Sequence, residues 1–224
     1  MFQGFSPETI TFLKELRLNN NRDWFQSNKP RFQEKVQLPM KELGLEVYEQ
    51  MKATYPDHGF IHRLSRIYRD ARRVRDGQPY HVNLWFSIEL PNVEFNDAPV
   101  FWFDISPESW SYGLGFYQAR PSTMAKLRAR IDRDPSAFEA FVAPLLDQKE
   151  FEIDGEEYKR KKEAPSPGTA AWYNRKSLAL AHYQANGEEL FDEDIALRIV
   201  AGYQSLMPFY DYFLSIANDP EPKK

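Results

Sequence analysis

Cysteine is absent from all 224 residues. That excludes disulfides and thiolate chemistry, and it fits a reducing cytoplasm as the expected location. Glycine is sparse, with ten residues, and these form no phosphate loop, no dinucleotide fingerprint and no nucleophile elbow. Long hydrophobic runs are missing, so no membrane helix is expected. The opening MFQGFSPETI lacks a basic segment followed by an apolar run, so no signal peptide is expected either. A positive net charge is lacking too. The formal value is -4, which gives no global attraction to nucleic acid or an anionic membrane, and any such binding needs a local patch. The four histidines are His58, His62, His81 and His182. His58 and His62 have helical metal spacing but straddle Gly59 in a turn, so neither a metal site nor a cofactor is expected.

Core material is plentiful. Hydrophobic residues make up 42% and aromatic residues 15%, including seventeen Phe and twelve Tyr, which argues for a packed globular chain. No repeat or linker interrupts it. The expectation is one α+β domain over 1–217 with a flexible polar tail over 218–224.

Ser6-Pro7 opens a helix with Ile10, Leu13 and Leu16 on one stripe, and Asn19-Asn20-Asn21 stops it. Asn21 or Asp23 opens a second helix, which Lys29-Pro30 and then Pro39 are expected to break. The helical stripe continues through Phe32, Val36, Leu43, Val47 and Met51. After residue 60 the period changes. Val82, Leu84, Phe86, Ile88 and Leu90 alternate with polar or amphipathic positions, as in a half-buried strand. Further strands are expected over 100–106 and 111–118. Gly113 and Gly115 there imply a bulge, or a close approach by backbone or ligand. Together these give an antiparallel meander over roughly 65–118, packed by N-terminal and C-terminal helices. Helices follow from Pro121 and Pro135, a short strand is expected at 150–153, and a long final helix opens at Asp192 with a kink at Pro208.

The chemistry-bearing stretch is Ser65 to Tyr80, SRIYRDARRVRDGQPY. Over Ile61–Val82 six arginines meet two acids, a local charge of about +4. Lys159–Lys176 holds six basic residues and one acid, about +5. As a helix, the arginine stretch puts Leu64, Ile67, Ala71 and Val74 on one face. As a strand and loop, it leads through the Asp76-Gly77-Gln78-Pro79 turn into the meander, and this reading is preferred. The two windows are expected to converge on one anion, with arginine forks as donors. Against this, Asp70, Asp76 and the acids of Glu188–Asp194 can absorb the same charges in ion pairs. Arg22 and Trp24 are either ligand groups or part of a helix restart with Trp24 and Phe25 in the core. Asp104, set among Phe101, Trp102, Phe103 and Ile105, is expected to pair with an arginine, because an unpaired buried carboxylate is unfavourable.

The N-terminal set Phe5, Phe12-Leu13, Leu16, Asn19-Asn20-Asn21-Arg22-Asp23-Trp24-Phe25 and Asn28-Lys29 resembles a bacterial and fungal family, domain of unknown function 2461. So do Arg66-Ile67, Arg69-Asp70, Arg72, Asp76 and Pro79-Tyr80, the segment Gly113–Tyr117, and Lys159-Arg160. The resemblance covers nearly the whole chain. Arg73 stands where the family usually has an aromatic, and Gly77 and His81 where it usually has lysine. The resemblance implies an α+β domain and supplies no activity.

The residues specify no reaction. The leading reading is binding of a small phosphate- or carboxylate-bearing ligand by Arg66, Arg69, Arg72, Tyr80, Lys159 and Arg160, with Tyr80, Trp102 and Trp110 available to stack. A single-stranded nucleic-acid module is the second reading, and a non-catalytic protein-interaction domain the third.

Overall fold

The computed structural model describes residues 2–70, 72, 74–93, 96–116 and 118–222. Ala71, Arg73 and Tyr117, which enter the helical alternative, the family comparison and the expected third strand, lie outside them. The protein is α+β, with a six-stranded antiparallel sheet. Its elements run α1 (Pro7–Leu18), α2 (Arg22–Phe32), a π-turn (Gln33–Gln37), α3 (Leu38–Thr54), β1 (Ile61–Leu64), β2 (Leu84–Glu89), β3 (Val100–Ile105) and β4 (Ser109–Gly115). Then come α4 (Pro121–Arg133), α5 (Pro135–Gln148), β5 (Glu152–Asp154), α6 (Ala170–Tyr173), β6 (Ala179–Ala185), α7 (Glu188–Phe191) and α8 (Ile195–Ser215). The strand order is β1-β2-β3-β4-β6-β5. β2, β3 and β4 form the expected meander, β1 adds a strand that ends just before its expected start near residue 65, and β6 carries β5 as its antiparallel partner.

Two compact units share this chain. One comprises Met1–Ile88, Trp102–Tyr112 and Tyr183–Ala201; the other Glu89–Phe101, Gly113–His182 and Gly202–Lys224. In the first, Phe12, Leu13, Phe25, Val36, Leu43 and Val47 are fully buried along the helical stripe. Phe5 and Phe86 both stack on Phe103, with centroids 6.1 and 5.5 Å away. In the second, Phe101 stacks on Tyr210 at 5.2 Å, and Trp172 meets Phe138 edge-on at 5.5 Å. Arg130 bonds the Asp219 carboxylate, Nη2 to Oδ1 at 2.9 Å, and so ties down the chain beyond α8. Among the described residues, no helix is long and apolar enough to cross a membrane.

The helical run is less broken than its prolines imply. Pro30 lies inside α2 and Pro39 in the first turn of α3. A proline removes one donor, the N–H that would bond four residues back; the helix continues through Pro30, and at Pro39 a tertiary contact absorbs the loss. Leu38 N donates to Gln33 O across the wide turn. Lys35 O, the acceptor that Pro39 cannot satisfy, takes the Thr9 hydroxyl of α1 at 2.6 Å. Gly115 also has a plain cause: a Cβ there would lie 2.5 Å from Leu178 O and 2.7 Å from Ala179 Cα. The close approach is backbone on backbone, not a ligand's.

Candidate anion-binding site

Three consecutive asparagines do three different jobs. Asn19 Nδ2 donates to Glu15 O at 2.9 Å and closes α1. Asn21 caps α2, its Oδ1 accepting from Trp24 N at 3.0 Å. Asn20 reaches sixty residues along the chain: its Nδ2 donates to Tyr80 O at 3.0 Å, and its Oδ1 accepts from Tyr80 N at 3.1 Å. That pair of hydrogen bonds is needed because of how the arginine stretch folds. The stretch is extended, not helical, through residue 69. Arg69 N donates to Pro79 O at 2.9 Å and His81 N to Ile67 O at 2.8 Å, which makes Tyr68 and Tyr80 an antiparallel bridge. In such a pair the central residue's own N–H and C=O point outward, and Asn20 satisfies both.

Between Arg69 and Pro79, the described residues of the connection engage two arginines. Arg69 Nη1 donates to Asp76 Oδ1 and Oδ2 at 2.8 and 2.9 Å and to Gln78 O at 3.0 Å. Gly77 completes the turn at φ +72°, a left-handed geometry that glycine adopts without strain. The Arg69 hydrogen bond, with help from Gln78 N, holds Asp76 below the usual carboxylate range. Arg72 pairs with Asp70, Nη2 to Oδ2 at 2.9 Å, on an exposed surface. The carboxylates within the stretch therefore do pair with it. Among the described residues the acidic run does not: its Glu189 pairs with Arg198.

The ribbon and α2 enclose two open clefts. The larger, about 800 Å3, has Asn21, Arg22 and Gln26 on the α2 wall and Tyr68, Arg69, Val74, Gly77, Pro79 and Tyr80 on the ribbon wall. The smaller, about 380 Å3, is lined by Lys29, the π-turn residues Gln33 and Gln37, and Leu64–Tyr68. Arg69 thus lines the first cleft and Arg66 the second, while Tyr68 lines both. Among the described residues, Arg22, Lys29 and Arg66 have no carboxylate partner. Tyr80 is 2% exposed and stacked on Phe25 at 4.1 Å, and burial raises its hydroxyl pKa. The ring open to a ligand is that of Tyr68, 50% exposed. Sequence reading weighed Arg22 but passed over Lys29, Gln26 and Tyr68. The signal that finds them is the extended pairing of 67–69 with 79–81, which alternation alone did not reveal.

The other expected groups have other surroundings. Lys159 and Arg160 are exposed and belong to the second unit, whereas the arginine stretch belongs to the first. In their window, Arg175 is structural: it donates to Gly155 O, Ile153 O and Ala171 O. Among the described residues Asp104 does not meet an arginine. Its Oδ2 accepts from Asn83 Nδ2 at 2.6 Å, and burial pushes its pKa up to about 6. The Asn83 amide stands where an arginine was expected; it offsets the burial only in part, and the carboxyl is neutral only below about pH 6. Trp110 is 1% exposed and belongs to the core.

Fold and cleft define an α+β protein with a cation-lined groove between a helix and a β-ribbon. The chain belongs to the family described as a conserved hypothetical protein, DUF2461, whose model matches residues 8–212. No curated protein matches it.

Proposed function

We propose that this protein binds a small anionic ligand, bearing phosphate or carboxylate, in the cleft between the start of α2 and the arginine ribbon. One observation carries the reading: Arg22 lines this cleft on its α2 wall with no carboxylate partner among the described residues, and Arg69 and Tyr68 line the ribbon wall. Arg69 contributes positive potential but is already engaged with Asp76, so it holds the wall while Arg22 is the open fork. The exposed Tyr68 ring offers a flat surface, and arginine provides bidentate geometry for phosphate or carboxylate.

The test is a thermal-shift and calorimetric series with inorganic phosphate, adenosine 5′-monophosphate and citrate at constant ionic strength. At ten times the dissociation constant, a ligand of the native state adds about 1.4 kcal/mol, or about 3–6 °C for a chain of this size. Arg22→Gln is expected to weaken binding about tenfold, the loss of one charge-assisted fork, with an unchanged melting temperature in the absence of ligand. Lys159→Gln with Arg160→Gln in the same assay tests the other basic window by itself. Absence of any shift, or equal binding by Arg22→Gln, overturns the reading.

A further inference from the structure

The second cleft repeats the chemistry of the first. Lys29 comes from the last turn of α2 and Arg66 from the extended segment after β1, so the two cations belong to different walls. Neither has a carboxylate partner among the described residues. The acids nearest in sequence are committed elsewhere: Glu34 to Lys35, Asp70 to Arg72 and Asp76 to Arg69. The π-turn brings the amides of Gln33 and Gln37 to the same cleft, and such turns commonly re-aim side chains at functional sites. Between the clefts stands Tyr68, which lines both. Its ring is fixed from behind by Phe25 at 5.9 Å and Tyr80 at 5.3 Å, so its orientation is set before any ligand arrives.

We infer that Lys29 and Arg66 form a second anion subsite, and that the ligand is a small bis-anion whose two charged groups sit on one scaffold that also carries a flat ring to lie on Tyr68. A nucleoside bisphosphate has this chemistry. A mono-anion fills only the Arg22 cleft. Two like-charged groups on one ligand gain from two separated cation pairs more than from one, because each pair neutralises its own group without crowding the other. The inference rests on the function proposed above, and its test separates the two.

The experiment titrates the full chain with inorganic phosphate, adenosine 5′-monophosphate, adenosine 3′,5′-bisphosphate and a ten-nucleotide single strand. The bisphosphate is expected to bind about tenfold more tightly than the monophosphate. The double variant Lys29→Gln with Arg66→Gln erases that advantage and leaves monophosphate affinity unchanged. Tyr68→Leu weakens both nucleotides and leaves phosphate unaffected. All these positions are surface-accessible, and circular dichroism and melting temperature verify the fold of each variant. Equal affinity of the parent for mono- and bisphosphate overturns the second subsite while leaving the Arg22 site standing. So does an undiminished ratio in the double variant. Failure of every probe on the parent overturns both. Far tighter binding of the single strand, with a steep salt dependence, overturns the small-ligand inference in favour of nucleic acid.

Discussion

Asp104 and His62 titrate against the fold in opposite senses. Asp104 has its pKa raised from 3.8 to about 6, first by burial and against the Asn83 hydrogen bond. Because the native state holds the proton more tightly than the unfolded chain, its contribution is greatest below pH 4 and is lost as pH rises toward 6. Asp104→Asn keeps an acceptor for Asn83 and removes the charge. It is expected to stabilise the protein at pH 7 by about 1–3 kcal/mol, the upper end being the full two-unit shift, and to flatten stability between pH 4 and 6 in urea unfolding. A destabilised variant at pH 7 refutes this account. His62 has its pKa lowered by burial, and its Nε2 is buried without a hydrogen-bond partner. A Cβ on Gly44 would lie 2.3 Å from that atom. The native state therefore holds neutral imidazole, and stability is present above pH 6.5 and lost as pH falls below it. His62→Phe is expected to remove that acid-side loss, read as a smaller change in urea midpoint between pH 7 and pH 5.5.

At the scale of elements, the helical run and the ribbon each depend on one polar side chain from a distant segment. The Thr9 hydroxyl completes the carbonyl that Pro39 leaves open, and Thr9 is fully buried. Thr9→Val keeps the shape and strands that carbonyl, with an expected loss of about 1–3 kcal/mol, whereas Thr9→Ser retains most of the stability. Asn20 performs the same service for Tyr80. Asn20→Ala is expected to cost about 1–3 kcal/mol and to speed amide exchange at Tyr80 and Arg69 well beyond that in β3. Uniform exchange across ribbon and sheet counts against it. The Thr9 contact explains why the expected break at Pro39 did not form. Periodicity reports which face of a helix is apolar, but which group rescues an orphan carbonyl depends on what packs beside it.

For the molecule as a whole, the net charge of -4 and a groove with few open cations imply weak long-range steering. Phosphate binding is therefore expected to show a shallow salt dependence, with a logarithmic slope on the order of −1 to −2. A slope several times steeper, measured by calorimetry between 50 and 300 mM salt, identifies a polyanion as the natural partner. The sequence alone determined the α+β class, the switch from helical to alternating period near residue 60 and its return near 120. It also determined the buried stripe of Leu13, Leu16, Phe32, Val36 and Leu43 and the surplus of arginine. Those follow from local periodicity and composition, which act within a few residues of chain. Only the tertiary structure decided which cations remain open. Arg69 and Arg72 are taken by Asp76 and Asp70 close by in sequence, while Arg22 lines one cleft with Tyr68, and Lys29 and Arg66 line the other with it. Whether a charge is neutralised depends on which carboxylate folding brings within about 4 Å; the turn that pairs Arg69 with Asp76 sets that distance for one cation, while Arg22, Lys29 and Arg66 meet no carboxylate among the described residues.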